Sequence, residues 1–120
     1  MQELTKRNLR AWSMLGQRGT VCGVALIEIM EEYQNSYTLT ADLAHLSGLD
    51  RVQHMFPERF VNVGIAEQNM IGIAAGLAAE RNVVFATTYA TFLTMRCYEQ
   101  IRHHMGYQLS LIHISEPTRP

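Results

Sequence analysis

Among the residues of this chain able to do chemistry, one carboxylate stands apart. Glu67 lies near the head of Gly64-Ile65-Ala66-Glu67-Gln68-Asn69-Met70-Ile71-Gly72-Ile73-Ala74-Ala75-Gly76-Leu77-Ala78, a run built mostly from small and aliphatic residues. A carboxyl shut away from water tends to keep its proton, and a protonated carboxyl can donate a hydrogen bond. The same position also suits a first-turn acid, which gains from the positive end of a helix dipole. The dipole contributes about 0.3–1 kcal/mol near a surface, whereas burial moves a carboxyl by up to about 3–5 pH units. Enclosure therefore decides which reading holds. Tyr89 and Phe92 stand one helical turn apart and, on composition alone, are core aromatics. Asp42 suits a helix cap or a turn. Arg102, His103 and His104 read as a solvated basic helix end, with Arg96 set apart from them. Cys22 and Cys97 have no metal-ligand or Cys-x-x-Cys spacing and read as buried, reduced thiols of a cytosolic protein.

The elements that must position these groups alternate along the chain. Residues 8–17, with Leu9, Trp12 and Leu15 on one face, predict a helix punctuated by Gly16 and Gly19. Thr20 is the expected N-cap of a second helix reaching about Tyr33, with Val24, Ile27 and Met30 or Leu26 and Ile29 inward. A strand over 37–40 follows, then a short helix over 49–55 that stops ahead of Pro57. Strands over 60–63 and 83–88 flank a helix over 66–80, and a last helix spans 91–105. This alternation predicts an α/β domain with a mainly parallel sheet flanked by helices. Gly within a helix costs about 1 kcal/mol against Ala. Gly72 and Gly76 in the 66–80 helix thus call for close packing, against the domain's own sheet or against another subunit.

Composition narrows the functional classes. With 48% hydrophobic and 18% charged residues, the 120-residue chain reads as globular. A net charge of −1 offers no electrostatic case for nucleic acid or an anionic membrane. No apolar run approaches the roughly 20 residues of a membrane span, and no signal-peptide core follows Met1. A cytoplasmic location is expected.

Several segments match one family in order and spacing. They are Leu39–Leu43, Pro57–Gly64, Gly64–Asn69, Ala74–Ala78, Thr87-Thr88-Tyr89-Ala90-Thr91-Phe92-Leu93-Thr94-Met95-Arg96 and Tyr98–Arg102. From about Gly19 to about Tyr107 the chain resembles the pyrimidine-binding domain of the transketolase family. The resemblance implies thiamine diphosphate as cofactor. It implies that Glu67 hydrogen-bonds a ring nitrogen of the aminopyrimidine, favouring the imino tautomer that takes the thiazolium proton. It makes Phe92 the aromatic that stacks on the pyrimidine. It leaves Tyr89 open as a neighbour on the cofactor side, and it puts Asp42 near the thiazolium.

The resemblance also bounds what this chain does alone. The family's Gly-Asp-Gly with a downstream Asn, its usual holder of magnesium and the diphosphate, does not occur here. Magnesium and the diphosphate half are therefore expected from another domain. Met1 just ahead of the pyrimidine domain resembles the small C-terminal subunit of two-subunit bacterial transketolases. The expected partner is the N-terminal subunit, with self-association of the intact subunit and with sugar phosphates as substrates. The implied reaction moves a two-carbon ketol unit from a ketose phosphate to an aldose phosphate in the pentose phosphate pathway. The 120-residue chain by itself is expected to be inactive. 1-Deoxyxylulose-5-phosphate synthase shares Gly-Ile-Ala-Glu-Gln and Tyr-x-Thr-Phe, but Phe92 to Arg96 is one residue longer than its Phe-Leu-x-Arg. The beta subunit of 2-oxo-acid dehydrogenases fits less well. A reading of another class is a non-catalytic fragment that only binds a partner. Residues 1–108 are taken as the N-terminal part of the pyrimidine-binding domain. Leu109–Pro120 resembles the translation of a transposase adapter used in DNA library preparation, and it is set outside the expected fold.

Overall fold

β-branched and aromatic residues gather in β1 (Ser36–Thr40, Ser-Tyr-Thr-Leu-Thr), β2 (Phe60–Asn62, Phe-Val-Asn) and β3 (Val83–Thr87, Val-Val-Phe-Ala-Thr). A computed structural model, describing residues 3–107 and 113–115, joins them with β4 (His113–Ser115) in one sheet. The order is β2-β1-β3-β4, and every pair is parallel. Register sets Thr40 beside both Asn62 and Thr87, so the chain leaves these three strands at one common edge. Parallel neighbours need long crossovers, and helices supply them.

Each face of the sheet carries its own core. On one face Leu39, Val84 and Ala86 meet Met70, Ile71, Ala74 and Ala75 of α4 (Glu67–Ala79), with Leu93 and Cys97 closing the cluster. On the other, Cys22, Leu26, Ile27 and Met30 pack with Leu49 and Val52, and Phe60 and Phe85 lean in from the sheet. Helices on both faces are the usual cover of a parallel sheet. The expected α/β architecture is the one observed.

The N-terminal helices differ from expectation in one respect. α1 (Lys6–Thr20) is capped by Thr5, whose side chain accepts the Asn8 N–H at 3.1 Å, and it kinks at Gly16, where φ is 72°. Thr20 is not an N-cap. Its hydroxyl donates to the Trp12 carbonyl at 2.9 Å, and the backbone runs on through a wide π-helical turn, Val21–Ala25, into α2 (Leu26–Glu32). The break falls at Gly16 because only glycine enters a positive φ without strain.

α3 (Asp50–Met55) ends ahead of the single turn Pro57–Arg59, as the proline requires. Arg59 then fastens the start of the sheet, donating to the Met30 and Tyr33 carbonyls at 2.9 and 3.0 Å and to Ser36 Oγ at 2.9 Å. The last helix is not continuous. A π-helical turn, Phe92–Arg96, is followed by a break at Cys97 (φ −102°, ψ 8°), then by α5 (Tyr98–Ile101) and a second wide turn, Arg102–Tyr107. Among the described residues no helix is long and apolar enough to cross a membrane.

β4 falls inside the segment that the sequence reading set aside. Its backbone pairs with β3, His113 opposite Phe85 and Ser115 opposite Thr87. Ladder hydrogen bonds use main-chain groups, so an edge accepts many sequences. Gln108 and the rest of 109–120 lie outside the described residues.

Candidate active site

Three connections leave the carboxyl edge of the sheet and bring the candidate residues with them. β1 runs into Asp42, which has φ 58°, and β2 into Gly64, which has φ 76°. Asn62 holds both turns, its Oδ1 accepting the N–H of Asp42 and the N–H of Gly64, each at 3.0 Å. The Val63 N–H adds a bond to the Thr40 carbonyl at 3.0 Å. Gly64 at positive φ turns the chain so that α4 begins at Glu67. β3 runs into Thr88, Tyr89 and the turn that carries Phe92.

Glu67 is enclosed, at 4% exposure. Ile65 is 80% exposed and adds nothing to the enclosure, while Met70 is fully buried. Arg96 stands at the carboxyl instead, with Nη1 3.3 Å from Oε1 and 3.4 Å from Oε2. Its guanidinium carbon also lies 4.0 Å from the Phe92 ring centroid. In the wide turn residues four apart share a face, which brings Arg96 back over Phe92. Gln68 ties the two elements together by donating to the Arg96 carbonyl at 2.8 Å. Tyr89 meets Phe92 edge to face, with centroids 5.7 Å apart.

The structure thus joins Glu67, Phe92 and Tyr89 through Arg96. Asp42 reaches the same edge by its backbone; among the described residues no hydrogen bond or ion pair links its side chain to the other three. Cys97, fully buried beside this group, has its thiol pushed up first by burial and then by the Glu67 charge, against a smaller downward pull from Arg96. Sequence reasoning left Arg96 without a role and missed Asn62 and Gln68. A signal for Arg96 was its spacing of four from Phe92. Asn62 showed only as a polar residue closing a strand.

The family described as "Transketolase, pyrimidine binding domain" matches residues 17–114. The chain belongs to this family. The match runs past residue 108 into β4. A transketolase C-terminal section from Methanocaldococcus jannaschii is 45% identical over 85 residues, covering 71% of this chain and 27% of that protein. The 1-deoxy-D-xylulose-5-phosphate synthase of Aquifex aeolicus is 42% identical over 89 residues, covering 74% of this chain and 14% of the synthase. A solved structure described as a split-gene transketolase, an inactive beta4 tetramer, superposes with a TM-score of 0.73 at 37% identity. That superposition covers 82% of this chain and 33% of the solved chain. This transketolase-family chain therefore spans about a quarter of the length of its M. jannaschii relative, and less of the synthases.

Membership implies use of thiamine diphosphate, and the donor set fits its pyrimidine half. An enclosed carboxyl and an aromatic face are already bridged by one flat nitrogen-bearing group, the Arg96 guanidinium. The hydroxyls of Thr40, Thr87 and Thr88, at the ends of β1 and β3, are buried with no hydrogen-bond partner among the described residues. Buried polar groups normally have one, so this edge is provided with polar atoms that the domain itself does not satisfy.

Proposed function

We propose that this chain is part of the C-terminal subunit of a thiamine diphosphate-dependent transketolase, transferring a two-carbon ketol unit between sugar phosphates. The observation that carries the reading is the buried Glu67 carboxyl set beside the Phe92 ring at the carboxyl edge of a transketolase-family sheet. Ligands of open parallel sheets bind outside the carboxyl ends of the strands. When bound, the cofactor supplies the carbanion chemistry, and the protein supplies orientation and proton control. Glu67 hydrogen-bonds the ring nitrogen of the pyrimidine and governs the proton there. Phe92 stacks on the ring, worth about 0.5–1.5 kcal/mol beyond area burial. Tyr89 braces Phe92 by its edge contact, and Asp42 lines the site from the β1 turn. Magnesium and the diphosphate are held by the N-terminal subunit. Gly76 supports self-association of the intact subunit: a Cβ built there meets nothing within 4 Å, so the domain's own packing does not call for the glycine. The working enzyme is cytoplasmic.

A synthase of 1-deoxyxylulose 5-phosphate is the second reading, favoured by identities of 39% and 42% to such enzymes from Synechococcus and Aquifex aeolicus. We further propose that residues 109–120 are adapter read-through, with His113–Ser115 taking by backbone pairing the place of the domain's next strand. Support comes from their resemblance to the adapter translation; resequencing the source DNA across codon 108 tests it.

The test of function is reconstitution. The chain, continued through its full reading frame, is combined with a transketolase N-terminal subunit, thiamine diphosphate and magnesium. Ketol transfer between sugar phosphates is expected, with Glu67→Gln losing nearly all of it while cofactor still binds. Formation of 1-deoxyxylulose 5-phosphate instead selects the second reading. Full activity of Glu67→Gln refutes the role given to Glu67, and turnover by the 120-residue chain alone refutes the missing half-site.

A further inference from the structure

We infer that Arg96 is an internal stand-in for the pyrimidine, occupying the contacts of Glu67 and Phe92 until the cofactor displaces it. The inference rests on the roles proposed above for those two residues. Its basis is the double contact of one side chain. The Arg96 guanidinium lies 4.0 Å from the Phe92 centroid while Nη1 stands 3.3 and 3.4 Å from the two Glu67 oxygens. A guanidinium is flat, stacks on aromatic faces and presents N–H groups in its plane to a carboxylate. An aminopyrimidine that stacks on Phe92 and hydrogen-bonds Glu67 makes the same two contacts. Both cannot fill the space between that ring and that carboxyl.

The surroundings suit a side chain that leaves while its backbone stays. The Arg96 side chain is 51% exposed, so water receives it when it swings out. Its carbonyl is held by Gln68 at 2.8 Å, which keeps the turn in place during the exchange. The stand-in also accounts for a charged group in a closed position. A buried carboxylate with no partner is strongly destabilising, and Arg96 supplies one from within the chain. Self-occupation lowers apparent affinity by the fraction of molecules with the site open. A half-exposed ion pair plus one cation–π contact corresponds to about five- to tenfold in that fraction.

The experiment measures binding, not turnover. The probe is 4-amino-5-hydroxymethyl-2-methylpyrimidine, which carries neither thiazolium nor diphosphate, titrated into the 120-residue chain by calorimetry. Arg96→Met is expected to bind it about five- to tenfold more tightly than the parent. Arg96→Lys is expected to fall between, because an ammonium keeps the charge but lacks the flat stacking surface. Circular dichroism checks each fold, and if Arg96→Met fails to fold, Arg96→Lys decides. Binding by both variants no tighter than the parent, with Glu67→Gln weakened, overturns the stand-in and leaves the proposed site intact. Glu67→Gln and Phe92→Ala binding as well as the parent overturns the site and the stand-in together. So does an absence of binding by the parent and every variant.

Discussion

Deleting one or the other partner of the Glu67–Arg96 pair should affect stability unequally. Glu67 has a side chain 5% exposed, while that of Arg96 is 51% exposed. In Glu67→Gln the amide keeps the shape, and the freed guanidinium turns to water while keeping part of its stacking on Phe92. The expected loss is about 0–1 kcal/mol, the range for a pair whose surviving charge is hydrated. In Arg96→Met the survivor is a closed-in carboxylate. Stranding a fully buried charge costs about 3–5 kcal/mol. Arg96 is half-exposed, so water reaches Glu67 once the guanidinium is gone, and the expected loss is about 1–1.5 kcal/mol, in line with the five- to tenfold given to the stand-in. The double variant strands nothing and should return to within about 0.5 kcal/mol of Glu67→Gln. Urea unfolding at pH 7, followed by far-ultraviolet circular dichroism, reads all four proteins. Equal losses in the two single variants, or an Arg96→Met loss under about 0.5 kcal/mol, would show that Glu67 is not an enclosed carboxylate answered by Arg96.

Two further outcomes follow from the same edge of the sheet. Asn62→Ala removes the acceptor shared by the Asp42 and Gly64 N–H groups and should cost about 1 kcal/mol, with faster hydrogen exchange at those two amides. Asn62→Asp keeps the acceptor and should stay near the parent; an equal effect of both changes refutes the assignment. Burial raises both Cys22 and Cys97 above their ordinary 9.0, and Glu67 adds to the rise at Cys97. A raised folded-state value means that the stability these thiols contribute is complete below the unfolded-state value and is lost as pH rises from there through the folded-state value. Stability should decline from about pH 9 upward, less steeply in a Cys22→Ala, Cys97→Ala double variant; identical slopes refute the burial argument.

Much of the architecture was legible because it is local. β1, β2 and β3 fall within a residue or so of the expected spans, since each is a short run of β-branched and aromatic residues bounded by turns. α4 begins at Glu67, as the small and aliphatic run after Gly64 suggested. The breaks were legible only in part: the kink at Gly16 falls on a glycine expected to punctuate the first helix. Gly16 ends the first helical run where Thr20 was expected to start the next, and Cys97 interrupts a segment whose composition permits an unbroken helix. The break at Cys97 depends on what packs against that fully buried residue, and helix propensity is a weak prior beside tertiary context.

The candidate site divides along the same line. The motif order, the position of Glu67 at a helix head and the aromatic pair one turn apart are properties of neighbouring residues, legible along the chain. Whether Glu67 is enclosed and which charge answers it are properties of strand order and register. Arg96 lies 29 positions from Glu67, and the pair meets only because α4 and the Phe92–Arg96 turn both leave the carboxyl edge of one parallel sheet. Periodicity reports on a few residues at a time. Contact across such a distance is decided when the two faces of the sheet bury their cores, and that is a decision of the tertiary structure.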